Sequence, residues 1–309
     1  MKRSGVGLEE VADWDNLAAA FRLASRGKGY AYPVRYFRDH LLDELSRLRR
    51  DILDGTVAVG CMRSFCIRDP KVRIIHAPCF RERVLHHALM AHVGPVLDRG
   101  LVADAYACRV GKGTLAAVHR ARYHLSRHPW YAKIDIRGYF ASIDHGVMHH
   151  LLVRRFKSRD LLGLMNRMID AHHVTPGRGL PIGALTSQHF ANYYLNGADR
   201  LLLEHCRVRG MVRYMDDIVW WGASRAQVRE ALTRVRLLIE GPLGLQIKES
   251  FRIGRSEDGL LFCGFRIHPG RLLLSRRRKR RYGQVRRQWE EAFALGRMDV
   301  RTLQAGFSS

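Results

Sequence analysis

The chain has 309 residues, with 53 Lys and Arg against 29 Asp and Glu, a formal charge of +24 and a pI near 10.6. That length allows a sizeable core and two or three subdomains, and the basic excess favours a polyanionic partner bound with counterion release, a solubilising or ribosomal-type surface being the alternative. Six cysteines (Cys61, Cys66, Cys79, Cys108, Cys206, Cys263) form no CxxC pair and no zinc spacing, the start MKRSGVGLEEVADW lacks a signal-peptide core, and no stretch reads as a membrane span; a reduced, cytoplasmic chain without membrane partners is expected.

In chain order, the first part reads as helical. HLLDELSRLRRDILDG puts Leu41, Leu42, Leu45, Leu48, Ile52 and Leu53 on one face, with Gly55 placed to end the helix. In SFCIRDPKVRIIHAP two β-rich runs flank Asp69-Pro70 as a hairpin, and period-two alternation puts Lys71 and Arg73 on one face of its second strand. A helix over FRERVLHHALMAHV and a loop entering a helix over AYACRVGKGTLAAVHRA follow. WYAKIDIRGYFASID gives a strand ending near Asp135, a turn and a helix start. GLPIGALTSQHFANYYLNGADRLLLEH gives a Pro/Gly loop and one long helix, and GMVRYMDDIVWWG two strands joined by a tight turn. ALTRVRLLIEGPLGLQIKES reads as a helix, a Gly-Pro break and a short strand, and GLLFCGFRIHPGRLLL as a further hairpin.

From Gly259 to Trp289 no acidic residue occurs. SRRRKRRYGQVRR is either a basic helix against a phosphate backbone or a disordered tail, Tyr282 and Trp289 favouring the helix. The pairs His86-His87, His149-His150 and His172-His173 are poor chelators, because neighbours on a helix diverge, and they read as surface or RNA-facing residues. The order of elements gives an α+β fold, a largely antiparallel sheet covered by helices on one side.

The chemistry concentrates at Tyr214-Met215-Asp216-Asp217. Two adjacent carboxylates in a turn between buried strands repel unless one takes a proton or a divalent cation binds; an ordinary exposed turn is the alternative. Asp135 ends its strand in the same kind of position. If the two strands are neighbours, Asp135 and Asp216 can share two metals about 3.5–4 Å apart, suited to phosphoryl transfer. Asp144 fits a helix start after Ser142 better than a ligand role. Lys71 and Arg73 are able to clamp a triphosphate, Lys as a point charge and Arg as a fork, or simply to solvate a strand face.

These motifs together resemble the palm of a reverse transcriptase. PKVRIIHAPCFRERVLHHAL is similar to the fingers motif, AKIDIRGYFASIDH to the first catalytic motif, GLPIGALTSQHFANYYLN to the nucleotide-pocket motif, GLQIKES to the following palm strand and LLFCGFRI to the primer-grip hairpin. The resemblance covers roughly residues 10 to 290 and implies a right-hand polymerase: an N-terminal helical segment (1–60), fingers with the start of the palm (61–130), palm (131–270) and a small basic helical thumb (271–309). Most of the family carries Gln where this chain has Ile182. The form Leu180-Pro181-Ile182-Gly183 followed by ALTSQ resembles the enzymes of diversity-generating retroelements, which copy a template-repeat RNA with errors at adenines and work with a small basic pentameric accessory protein.

The resemblance implies Asp135, Asp216 and Asp217 as catalytic residues, with two Mg2+ ions (or Mn2+) held by these three and the backbone of Ile136. It implies deoxynucleotide contacts from Lys71, Arg73, Tyr139, Phe140, Ile182, Gly183 and Gln188. Phe140 would exclude a ribose 2′-hydroxyl, Gly183 would let the chain approach the base pair, and Lys248 is a candidate general acid. Gln188 is read as a template or loop contact or a helix cap. Arg276, Arg277, Arg278, Lys279, Arg280 and Arg281 would bind nucleic acid, the expected partners being template RNA, primer, cDNA and deoxynucleotides. Alternatives are another prokaryotic reverse transcriptase (group II intron, retron or phage defence) or a non-catalytic RNA-binding scaffold on the same fold.

Overall fold

The computed structural model describes residues 2–68 and 72–307. Four helices, α1 (Leu8–Val11), α2 (Trp14–Ser25), α3 (Tyr32–Asp39) and α4 (Leu41–Leu53), precede an antiparallel hairpin of β1 (Met62–Arg68) and β2 (Val72–Pro78). Then come α5 (Phe80–Asp98), α6 (Thr114–Leu125), β3 (Trp130–Ile134), α7 (Tyr139–Ser142), α8 (His145–Val153), α9 (Arg159–Asp170), α10 (Leu185–Tyr194) and α11 (Asn196–Arg200). The chain continues through β4 (Gly210–Tyr214), β5 (Asp217–Gly222), α12 (Arg225–Glu240), β6 (Arg252–Arg255), β7 (Leu260–Phe262), β8 (Phe265–Ile267), β9 (Leu272–Leu274), α13 (Arg276–Ala294) and α14 (Val300–Phe307).

The central sheet has the order β4-β5-β3-β6, antiparallel throughout. Alternation along its strands separates two cores. Ala132, Ile134, Met211, Ile218 and Trp220 face α12 and the main cluster, where Val228, Ala231 and Val235 lie. Tyr131, Val212, Val219 and Trp221 face α6 and the three-stranded sheet β7-β8-β9, through Val118, Ala121, Phe262 and Ile267. The predicted α+β sheet with a helical face is thus present, and its second face is covered as well. That explains why GMVRYMDDIVWWG is apolar at nearly every position except its turn.

Several segments differ from the expectation. In α4 only Leu45, Leu48 and Ile52 are buried; Leu42 and Leu53 are 74% and 37% exposed, because a six-residue stripe is wider than the face its neighbours cover. The expected long helix after the Pro/Gly loop is split into α10, α11 and a π-helical turn over Leu201–His205, with the break at Leu195, just before Asn196-Gly197, two poor helix formers that open α11. GLQIKES forms one bridge, Ile247 to Ile136, and the edge strand is β6, whose single β-branched residue between arginines and a glycine gives little pattern. The expected last hairpin has a third strand, β9. His86, expected at the surface, is buried between the Glu82 carboxylate (3.4 Å) and the Thr186 hydroxyl (2.9 Å).

The basic C-terminal segment is a helix, α13, with no buried residue and with Ser275 capping its N-terminus through the Arg278 amide. The Asp69-Pro70 turn and Lys71 lie outside the described residues. No helix among the described residues is long and apolar enough to cross a membrane.

Candidate active site

Strand register brings the acidic residues together. The β3–β5 ladder ends at Ile134 opposite Ile218, so one step further Asp135 and Asp217 face each other across neighbouring strands. Asp216 sits with Met215 in the two-residue loop between Tyr214 and Asp217, and its carboxyl comes within hydrogen-bonding reach of Asp135. Met215 has φ +57, the left-handed region that a non-glycine residue occupies only where the surroundings hold it. Arg213 holds it. Its Nη1 donates to the Met215 carbonyl at 3.0 Å, while its other donors reach both Asp199 oxygens (2.7–2.9 Å) and the Asn192 side-chain and backbone oxygens (2.8 and 2.9 Å). Arg213 and Asp199 are both fully buried, so the pair survives only because its geometry is bidentate and its donors are used.

Two ammonium groups flank the carboxylates. Lys133 Nζ lies 2.9 Å from Asp217 Oδ2, and Lys248 Nζ 2.7 Å from Asp135 Oδ2. Lys248 is placed there because its amide bonds the Asp135 carbonyl at 2.9 Å, and Lys133 because it shares a strand face with Asp135. Burial, reinforced by the Asp135 charge, raises Asp216 to about 6. Burial also raises Asp217 to about 6, against the opposing pull of Lys133.

The donor set fits a divalent cation of one kind. Asp135 Oδ1 and Asp217 Oδ1 are buried and have no hydrogen-bond partner, and carboxylate oxygens are hard donors. Among the described residues no three His, Cys, Asp or Glu side chains form a ready-made cage. Such a site suits a cation that completes its shell with water and substrate phosphate, as Mg2+ does.

A cavity of about 720 Å³ opens over this cluster. The structure brings Arg73, Ile136, Tyr139, Phe140, Ile182, Gln188, Lys248 and Arg278 to its walls together with the three aspartates. Ile136 is buried and pairs with Ile247 in the sheet. Tyr139 is buried as well, its hydroxyl turned to the Ala191 carbonyl, so it supports the floor rather than offering a polar contact. The Phe140 carbonyl accepts from Leu180, tying α7 to the pocket loop. Ile182 joins that loop to the β1–β2 hairpin, its carbonyl accepting from the His76 amide at 2.7 Å. Gln188 is exposed on the second turn of α10, not at its cap, with the Cys108 thiol 3.6 Å from its Oε1.

Other expected residues sit elsewhere. Gly183 (φ +122) makes a close approach to β2: a Cβ would lie 2.8 Å from Ile75 Cγ2 and 3.0 Å from the His76 carbonyl, so the missing side chain admits that strand. Arg276 and Arg277 line an adjoining cavity of about 960 Å³ between α13 and β7-β8-β9, which shares Arg73, Asp217 and Cys263 with the first. Arg278 lies over the Phe265 ring (4.7 Å) and against Gly264 in the β7–β8 turn. Lys279, Arg280 and Arg281 are exposed on α13 and line neither cavity. Lys71 lies outside the described residues. Asp144, as expected, caps a helix, accepting from the Val147 amide at 3.1 Å.

Sequence reasoning missed Lys133, Arg213, Asn192, Asp199 and Cys108. Lys133 carried a signal, since it stands two residues before Asp135 on a strand. Asn192 and Asp199 meet Arg213 only through tertiary contact.

The family described as reverse transcriptase (RNA-dependent DNA polymerase) matches residues 68–250. Protein YkfC of Escherichia coli (strain K12) is 24% identical over 87% of this chain and 82% of its own length. The group II intron-encoded protein LtrA of Lactococcus lactis subsp. cremoris is 21% identical over 52% of this chain, which spans only 28% of LtrA. Among solved structures, apo telomerase from Candida tropicalis, truncated from its C-terminal domain, superposes with a TM-score of 0.51 and 12% identity over 71% of this chain and 56% of that one. At that identity the likeness speaks for the fold.

Proposed function

The chain belongs to the reverse transcriptase family and is an RNA-directed DNA polymerase, and from that premise we propose that it makes error-prone cDNA from the template-repeat RNA of a diversity-generating retroelement. The observation that carries the polymerase chemistry is the strand register that sets Asp135 beside Asp217, with Asp216 at the adjoining turn. In this reading a primer 3′-end and a deoxynucleoside triphosphate meet over the three carboxylates. Two Mg2+ ions held by Asp135, Asp216, Asp217 and the Ile136 backbone would supply charge stabilisation for the attacking and leaving oxygens.

The chain's own residues orient the reactants. Arg73 and Lys71 take the triphosphate charge, Phe140 stands against a ribose 2′-hydroxyl, and Gln188 contacts the template or the neighbouring loop. Lys248, held against Asp135 at 2.7 Å, is the general acid that would give a proton to the departing pyrophosphate. Arg276 and Arg277 beside the second cavity and Arg278 at the wall of the first follow the template–primer backbone, with Lys279, Arg280 and Arg281 extending the basic face outward. The fingers, palm and thumb divide at about residues 60, 130 and 270.

The subtype reading rests on Ile182. A glutamine at that wall offers a donor and an acceptor to hold the incoming nucleotide; Ile182 offers neither, so mispaired geometries compete on closer terms. A pentameric basic accessory protein would then be the partner. The likeness to a group II intron-encoded protein supports a second reading, in which the chain copies an intron RNA. Sequencing cDNA made on an RNA rich in all four bases separates them: errors concentrated at template adenines support the first, and evenly low errors support the second.

A further inference from the structure

A third cavity, of about 510 Å³, lies where α8, the end of α5 and the α10–α11 junction meet. It shares no residue with the two cavities around the aspartates. Its walls carry three guanidinium groups, of Arg154, Arg155 and Arg200, beside the Tyr193 ring and the Asn196 amide.

Two of these arginines are fixed by backbone carbonyls. Arg155, 8% exposed, donates to Val96 at 2.7 Å, and Arg200 donates to Gly100 at 3.1 Å and to the Glu204 carboxylate at 2.7 Å. Arg154 is exposed at the rim. Tyr193 is 7% exposed, and among the described residues its hydroxyl has no hydrogen-bond partner. Burial holds its phenol above the usual value, and all three guanidiniums pull the other way, so each acts on that hydroxyl. The Asn196 Oδ1 is buried and also without a partner, and a half-turn of the amide would present its N–H2 group instead.

We propose that this cavity is a non-catalytic phosphate-binding site, built for a phosphodiester of an RNA strand or the phosphate of a free nucleotide. Arg154 and Arg200 against the one nearby carboxylate, Glu204, leave a net positive pocket without counting Arg155. Guanidinium forks and a phenol hydroxyl are donors matched to phosphate oxygens. Pre-fixed arginines lose little freedom on binding, and the volume leaves room for a sugar beside the phosphate. An RNA strand held here would be anchored away from the point of synthesis, at the far end of the helix α10 that begins beside the nucleotide pocket.

The test uses the full chain and chemical modification of arginine by phenylglyoxal, mapped by mass spectrometry. Arg154 is compared with Arg229, an exposed arginine on α12. Three probes are used in turn: inorganic phosphate, AMP and a short single-stranded RNA. The site predicts at least about fivefold slower modification of Arg154 than of Arg229 with one or more probes, and weaker protection in Tyr193→Phe, which keeps the ring and removes the hydroxyl. Protection by AMP or phosphate assigns a nucleotide; protection by RNA alone assigns a backbone phosphate. Unchanged modification of Arg154 with every probe, equal protection of Arg229, or full protection retained in Tyr193→Phe overturns the proposal.

Discussion

Arg213 Nη1 donates to the carbonyl of Met215 at 3.0 Å, so a fully buried guanidinium holds the loop that presents Asp216. The loop is left-handed at Met215, and without that bond its conformation loses its main support. Asp199→Asn removes the partner charge and leaves Arg213 buried and uncompensated. It should destabilise the protein by about 3–5 kcal/mol in urea unfolding. Asn192→Ala leaves the ion pair intact but removes one acceptor. A loss of about 1–2 kcal/mol is expected, with kcat falling more than KM rises. Wild-type kcat in folded Asn192→Ala would show that the network only packs.

The raised carboxyls make a pH prediction for the metal-free protein. Asp216 and Asp217 move from 3.8 to about 6 on folding. A group whose folded value is raised adds stability below the unfolded value and loses it as pH rises through the folded one. Asp216→Asn should therefore melt higher than the parent at pH near 8, by on the order of 1–2 kcal/mol, and the gap should close as pH falls from about 6 to about 4. Magnesium should raise the parent's melting temperature at high pH and Asp216→Asn less. A variant that melts below the parent at high pH would contradict the placement of these carboxyls.

Ile182 lines the cavity over the three aspartates while its carbonyl ties the loop to β2. Ile182→Gln keeps that backbone bond and adds a side-chain amide. Misincorporation opposite template adenine should fall about three- to tenfold, read by sequencing cDNA, with little change in melting temperature. An unchanged error spectrum would separate this residue from fidelity.

Phe140 stands at the cavity wall beside Tyr139, with ring centroids 5.9 Å apart. Phe140→Ala should admit ribonucleotides, raising their kcat/KM relative to deoxynucleotides by about tenfold or more. Competition between the two substrates in one extension reaction measures it, and an unmoved ratio would remove Phe140 from sugar selection.

Much of the fold could be read from the chain because its signals were local. The apolar runs around Asp135 and Asp216-Asp217 marked two strands, and once those strands are neighbours the aspartates must meet. Gly-Pro and Pro/Gly breaks marked helix ends. What could not be read depends on partners far away in the chain. Arg213 looks like any strand arginine until Asn192 and Asp199 are brought beneath it. Gly183 gives no sign in the sequence that β2 packs on it. β6 has one β-branched residue, and its identity comes from pairing with β3, not from its own pattern.

Primer extension on an RNA template with Mg2+, comparing the parent with Asp135→Asn, Asp216→Asn and Asp217→Asn, tests the assembled site most directly. Extended cDNA from the parent and a loss of at least about a thousandfold in each folded variant is the predicted result. Parent-like extension by folded Asp135→Asn would contradict it, since that carboxylate enters the site only through the register of β3 against β5.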